Sequence, residues 1–361
     1  MSNGFLLGAG ASYELGMPLV DELSEMFKKQ LINAISLPGY NSPGPIRKLA
    51  LSLLEDPDLN YEDIIGRLEI EFFRNRDNNL HNEWHWIIKK YNDAIFWILY
   101  DIHSRKLEFI DAQLELFKSI EKFCTTSPLW VFSLNHDLLF EMICTATQIP
   151  MKFGMNGKKE IYGVNFETLS KEEMNSNRFS FFTKEKRTVN LVKMHGALDL
   201  FTEGNNRDYL KIVNSNSPSA TFKDLKHIVE TDMATKNNKI SFSPLITYFD
   251  NDGVDQFLMK TILSGKHKFT DKIQHDSGNW FFRIFEGYIN HVKSLYVIGY
   301  SFGDEHINIR LCDWISFSAS RKLIIVNPGI GEIPLQFRHL KDQCSIMKIG
   351  FRDFLHQNSS R

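Results

Sequence analysis

The sequence predicts an α/β fold: a Rossmann-like parallel sheet with helices on both faces, carrying one large helical insertion. Three observations lead there. The first apolar run, Phe5-Leu6-Leu7, opens directly into Gly8-Ala9-Gly10-Ala11-Ser12. Three later apolar runs also end in polar clusters. Residues 129–134 end in Asn135-His136-Asp137, residues 189–194 in His195-Gly196, and residues 295–298 in Gly299-Tyr300-Ser301-Phe302-Gly303-Asp304. Between the first two runs, apolar residues recur at helical spacing. Ligands of a parallel sheet sit beyond the carboxyl ends of its strands, so four such ends predict one shared crevice.

The opening strand sets the chemistry. Two glycines flanking a small residue, followed by a helix, let backbone N–H groups approach a pyrophosphate, and the helix N-terminus favours its charge. The third glycine, Gly16, comes six residues after Gly10 and not three, and no Gly-Lys-Ser/Thr follows. The loop is therefore neither a full dinucleotide fingerprint nor a P-loop, and a tight turn is the alternative reading. An amphipathic helix continues through residues 20–27, and the stretch from Pro38 to Pro45, with Gly39 and Gly44, breaks it. Next come three apolar stripes: Ile64, Ile65, Leu68 and Phe72; then Ile87, Ile88, Tyr91, Ile95, Leu99 and Ile102; then Leu114, Phe117 and Ile120. They predict a helical module over 45–126 inserted into a nucleotide-binding domain of 1–44 and 127–361. Two polar stretches, about 149–188 and 202–239, read as surface loops with one helix near 223–229. The end, 335–355, reads as a short helix and a strand.

Composition narrows the function. The chain has 361 residues, 43% hydrophobic and 24% charged, with net charge −2. No clustered basic face is present, which argues against direct nucleic-acid binding. No apolar run is long enough to span a membrane, no signal peptide fits before the first strand, and four scattered cysteines suit a reducing compartment; the expectation is a cytoplasmic protein. His81 and His85 lie one helical turn apart, but Glu83 is one position late for a metalloprotease pattern, so an exposed helix face is the default. Asp304-Glu305-His306 is read first as a helix cap, with a direct role in the crevice as the alternative. For Asn135-His136-Asp137 and His195, taken singly, capping and turn-filling also stay open.

Taken in order, the clusters resemble the sirtuin NAD-binding core. The matching segments are Gly8-Ala9-Gly10-Ala11-Ser12 with Gly16-Met17-Pro18, Asn135-His136-Asp137, His195-Gly196, Gly299-Tyr300-Ser301, and a strand ending in Asn327. Residues 243–249 resemble the Pro-x-Val-Val-x-Phe-Gly stretch of that family. Departures are equally clear. The two Cys-x-x-Cys pairs of the sirtuin zinc module have no counterpart, since Cys124, Cys144, Cys312 and Cys344 all lie outside 197–243. Phe-Gly-Glu becomes Phe249-Asp250-Asn251. This combination resembles bacterial sirtuin-like NAD hydrolases of antiphage defence.

The resemblance implies NAD as substrate and no metal. It implies that Asn135 orients water and ribose hydroxyls and that His195 is the general base. Gly8, Ala9, Gly10 and Ser12 would cradle the pyrophosphate, Asp137 would meet the carboxamide, Gly299 and Ser301 a phosphate, and Asn327 the adenosine ribose. It implies an NAD-depleting defence effector, kept silent by a homo-oligomer or by a partner such as an ATPase or a nucleic-acid-sensing protein. A zinc-free NAD-dependent deacylase and a non-catalytic NAD or ADP-ribose sensor are the alternatives.

Overall fold

The computed structural model describes residues 2–36, 44–77, 79–175, 181–203, 208–213, 216–231, 245–250, 252–265 and 280–357. Among them the strands are β1 (Ser2–Leu7), β2 (Leu129–Ser133), β3 (Met151–Lys152), β4 (Gly157–Ile161), β5 (Val164–Leu169), β6 (Val189–Lys193), β7 (Leu200–Glu203), β8 (Asp208–Ile212), β9 (Leu245–Phe249), β10 (Asp255–Lys260), β11 (Val292–Ile298), β12 (Lys322–Val326) and β13 (Cys344–Met347). The helices are α1 (Gly10–Tyr13), α2 (Val20–Ser36), α3 (Gly44–Glu55), α4 (Tyr61–Arg74), α5 (His81–Gln113), α6 (Leu139–Ala146), α7 (Lys171–Asn175), α8 (Pro218–Thr231), α9 (Trp280–Tyr288), α10 (Glu305–Ser316) and α11 (Phe351–Gln357). A long 3-10 segment, Leu114–Cys124, follows α5.

Seven strands form a parallel sheet in the order β13-β12-β11-β1-β2-β6-β3. From the central β1 the chain builds outward to β2 and β6, then returns to the other side of β1 as β11, β12 and β13. The order reverses between β1 and β11, which is where an open parallel sheet leaves a crevice. Both faces are covered. Phe5 and Tyr296 on one face pack against Phe123 and Phe354, while Trp130 and Phe132 on the other meet Tyr288 and Phe285 of α9. That is why β2 and β6 are buried at every position. Asn190 is tolerated inside β6 because its amide both donates to and accepts from the Thr183 backbone, at 3.0 Å each.

The second sheet departs from the expectation. Six antiparallel strands, in the order β4-β5-β8-β7-β10-β9, arise from the stretches read as surface loops and from 245–260. Only one face of β4 and β5 is shielded, so lysines and glutamates occupy the other and hide the alternation. The helix expected near 223–229 is α8. Residues 37–43, 204–207, 214–215, 232–244 and 266–279 lie outside the described residues, and with them most of the Pro38–Pro45 break, the Gly204 and Asn214 loops, and Ser243-Pro244. Gly44 and Pro45 open α3, where proline suits the first turn.

Helices α4 and α5 and the 3-10 segment follow the predicted stripes, and α2 and α3 pack with α4. Asn60 and Asp63 form a capping box at the start of α4. His81 and His85 both pack against the Phe72 ring, at centroid distances of 4.3 and 5.6 Å, so aromatic contact accounts for their spacing. No group of three or more His, Cys, Asp or Glu side chains clusters in metal-binding fashion among the described residues. No helix of the described residues is long and apolar enough to cross a membrane.

Candidate functional site

The crevice begins with backbone touching backbone. Gly8 N–H donates to Ile298 O and Gly10 N–H to Gly299 O, both at 2.9 Å. A Cβ on Gly8 would lie 2.6 Å from Tyr300 Cα, and one on Gly10 2.8 Å from Gly299 Cα. Gly299 itself has φ +64°. The three glycines thus let the loops after β1 and β11 cross in contact. In this structure the N–H groups of Gly8 and Gly10 are directed at the β11 loop, and those of Ala11 and Ser12 close the first turn of α1 on Gly8 O and Ala9 O.

Asn135 binds this loop to the next one. Its Nδ2 donates to Gly8 O and to Ser12 Oγ, both at 2.9 Å. Both amide hydrogens are therefore committed, and Oδ1 is the atom left to accept from water or substrate. Asp137 Oδ1 accepts the Leu139 N–H at 3.0 Å, so its carboxylate helps start α6. A small cavity of about 10 Å³ lies here, lined by Ser12, Asn135, Asp137 and Phe140 among others, close to the size of one water. An open cleft of about 500 Å³ is lined by Tyr13, Glu14 and Gly16 and by Lys106 and Phe109 of α5.

His195 follows β6, the neighbour of β2, and is buried. Its ring lies 6.2 Å from that of His136. The backbone around it is held by Leu263 N–H donating to His195 O and Leu198 N–H donating to His136 O, both at 2.9 Å. Its Nε2 lies 3.5 Å from Asp304 Oδ2. Asp304 was read from sequence chiefly as a cap; it is that and also the partner facing His195. Ser301 is exposed on the rim, and Asn327, at the end of β12, donates from Nδ2 to Tyr300 O at 3.3 Å. The structure thus joins Gly8, Gly10, Gly299, Ser12 and Asn135 directly, and reaches His195 through Asp304.

Sequence reasoning missed the charges beneath these loops. Lys193, Lys211, Glu141 and Asp199 are all buried together. Lys211 pairs with Asp199 and, at 3.1 Å, with Glu141; Lys193 Nζ lies 3.5 Å from Glu141 and donates to Asp137 O at 2.5 Å. Burial works against each charge, but the two lysines carry the Glu141 carboxyl below its usual range, and Asp199 and Glu141 carry Lys211 above its own. Burial pushes Asp199 up while Lys211 pulls it back, and two ammonium groups facing two carboxylates favour the ionised set. His103 of α5 accepts the Leu138 N–H on Nε2 at 3.1 Å, and burial lowers it from the ordinary 6.5 to about 4. The signal available in the sequence was a lysine, Lys193, inside an apolar strand two residues before His195.

No protein-family model and no curated protein matches the chain. Solved structures do show a distant likeness. A structure of Sir2Tm bound to a propionylated peptide is 14% identical with a TM-score of 0.41, covering 99% of this chain and 92% of that one. A Sir2–p53 peptide–NAD+ structure is 13% identical with a TM-score of 0.41, and Sir2 bound to an acetylated peptide is 13% identical with a TM-score of 0.40, both with the same coverage. Figures of this size assign neither an activity nor a ligand to this chain.

Proposed function

We propose that the chain is an NAD+ glycohydrolase that cleaves the nicotinamide–ribose bond. One observation carries the reading. At the switch point of the sheet, Asn135 is locked to the glycine loop by both of its amide hydrogens, and His195 stands at the end of the adjacent strand. An acceptor amide and an imidazole at neighbouring strand ends suit the delivery of water to a sugar carbon. Asn135 Oδ1 accepts one water hydrogen and aims the lone pair. His195 takes the other proton as the water oxygen bonds to ribose C1′. The C1′–nitrogen bond breaks with its electron pair going to the nicotinamide nitrogen, which loses its positive charge and leaves. Ser12 and Ser301 offer hydroxyls to the phosphates, Asn327 an amide to the adenosine ribose, and the Gly8, Gly10 and Gly299 contact keeps bulk out of their path. The same resemblance supports a role as an NAD-depleting effector of antiphage defence, held silent by self-association or by a partner protein.

Deacylation is the reading this one must beat. It fits less well because Asp250, in the segment that resembles Phe-Gly-Glu, is committed to the β9–β10 turn. Its carboxylate accepts from Asp252 and Val254 N–H and from Gln256 Nε2. The test is chromatography of purified protein with NAD+, alone, with a co-expressed product of a neighbouring gene, and with an acetyl-lysine peptide. Nicotinamide and ADP-ribose should appear in equal amounts without peptide, and Asn135→Ala and His195→Ala should each abolish NAD+ loss while leaving the protein folded. Turnover that requires the peptide and removes its acetyl group would put deacylation first.

A further inference from the structure

Asp304 lies after β11 and His195 after β6, with β1 and β2 between those strands. A contact between them must cross the mouth of the crevice. The loop that carries Asp304 is held unusually firmly for this task. Tyr300 OH donates to Asp304 O and accepts from Asp304 N–H, each at 3.0 Å. Phe302 adopts φ +60°, a left-handed conformation that a bulky residue avoids, and Asn308 Nδ2 holds its carbonyl at 2.7 Å. The Asp304 carboxylate is divided. Oδ1 accepts the His306 and Ile307 N–H groups at 3.1 and 3.4 Å and caps α10, which fixes the plane of the group. Oδ2 lies 3.5 Å from His195 Nε2, a contact longer than a formed hydrogen bond.

We propose that Asp304 is the positioning residue of His195: it accepts the Nε2 hydrogen and holds the imidazole in that tautomer. A neutral imidazole has one donor and one acceptor nitrogen, and the acceptor facing one of them decides which is which. Among the described residues the His136 ring also lies beside His195, and its Nδ1 lies 3.4 Å from Gly196 O, so it is occupied with the backbone next to His195. Lys193, on the same strand, is turned into the buried quartet.

Asp304→Asn separates positioning from capping. Asparagine caps helices as well as aspartate does, so α10 keeps its cap. The new amide presents a donor or a neutral acceptor to Nε2 where a carboxylate stood. Nitrogen NMR of ¹⁵N-histidine-labelled protein, with the His195 signals assigned by loss in His195→Gln, should show the Nε2–H tautomer in the wild type. In Asp304→Asn the two tautomers should exchange or invert. Asp304→Ser, which also caps but reaches less far, should free the ring in the same way. The inference rests on the NAD+ reading only for its kinetic arm: kcat should fall about 100-fold, the scale of a general base, with KM for NAD+ within about threefold. An Nδ1–H tautomer in the wild type, or a His195 spectrum indifferent to both variants, overturns it. Absence of NAD+ cleavage alongside an Asp304-dependent tautomer would count against the proposed activity and leave this pairing standing.

Discussion

Gly299 accepts the Gly10 N–H with its carbonyl, and a Cβ at this position would land on the Ala11 amide nitrogen. Left-handed backbone alone costs a non-glycine residue about 1–2 kcal/mol, and the collision adds to it. Gly299→Ala should therefore lower unfolding free energy in urea by more than about 2 kcal/mol. Gly303→Ala is the control from the same loop, since its Cβ would meet only Ser301 Oγ at 3.8 Å; it should change stability by less than about 0.5 kcal/mol. Equal losses from the two would remove the close-approach argument. At this scale the sequence was informative where a residue type has few uses. Glycine at Gly8, Gly10 and Gly299 pointed to close backbone, and Asn135 and His195 stood out as polar groups ending apolar strands. The meeting of His195 with Asp304 was not legible, because the order of strands, not any local pattern, brings them together.

Between elements, the buried quartet joins α6, β6 and β8 beneath the Asn135 loop. Lys211→Met leaves Asp199 and Glu141 buried with one fewer cation, and breaking such a set costs about 3–5 kcal/mol. Adding Asp199→Asn should recover part of that loss in a double-mutant cycle, whereas additive losses would deny the coupling. His103 connects the helical module to the same loop, with Asp137, Lys193 and Glu141 around it and burial as the leading influence. Its folded value of about 4 lies below the ordinary 6.5. As pH falls the unfolded chain takes up this proton first, so the stabilisation is full above 6.5 and drains away toward 4, with about 2 kcal/mol gone by pH 5. Urea midpoints between pH 7.5 and pH 5 should fall less steeply in His103→Gln than in the wild type; identical slopes would show that His103 titrates normally. Helical stripes and parallel strands were legible here because each has a strong apolar period. The antiparallel sheet was not, because Lys158, Lys159 and Glu160 on β4 carry charge into a strand.

At the scale of the molecule, Trp84 and Phe96 of the inserted helices are buried, and Trp97 donates its indole N–H to Asp93 at 3.1 Å, while Trp86 is 51% exposed. If self-association runs through 45–126, Trp86 is the most exposed aromatic among the described residues there, ahead of Phe109 and Phe73. Sedimentation at micromolar concentration should then give a mass above the 42.0 kDa monomer, and Trp86→Lys should return it toward that value. A wild-type monomer would move control to a different partner. The parallel sheet and its crevice were predictable because the four strand ends are marked in the chain. The way α2 merges with α3, α4 and α5 into one packed body was not, because the break from Pro38 to Pro45 reads as a boundary whether or not the flanking helices touch.

The contact between Gly8 and Gly299 also has a temporal meaning. β1 pairs with neighbours far away in the chain, one starting at Leu129 and the other at Val292. Non-local parallel pairing of this kind forms late, after the loop entropy between the strands has been overcome. A polypeptide interrupted between Gly196 and the β11 loop would contain Asn135 and His195 but no far wall for their crevice, and no Asp304. Under the proposed NAD+ hydrolysis, copies that stop short of the β11 loop would be harmless by construction.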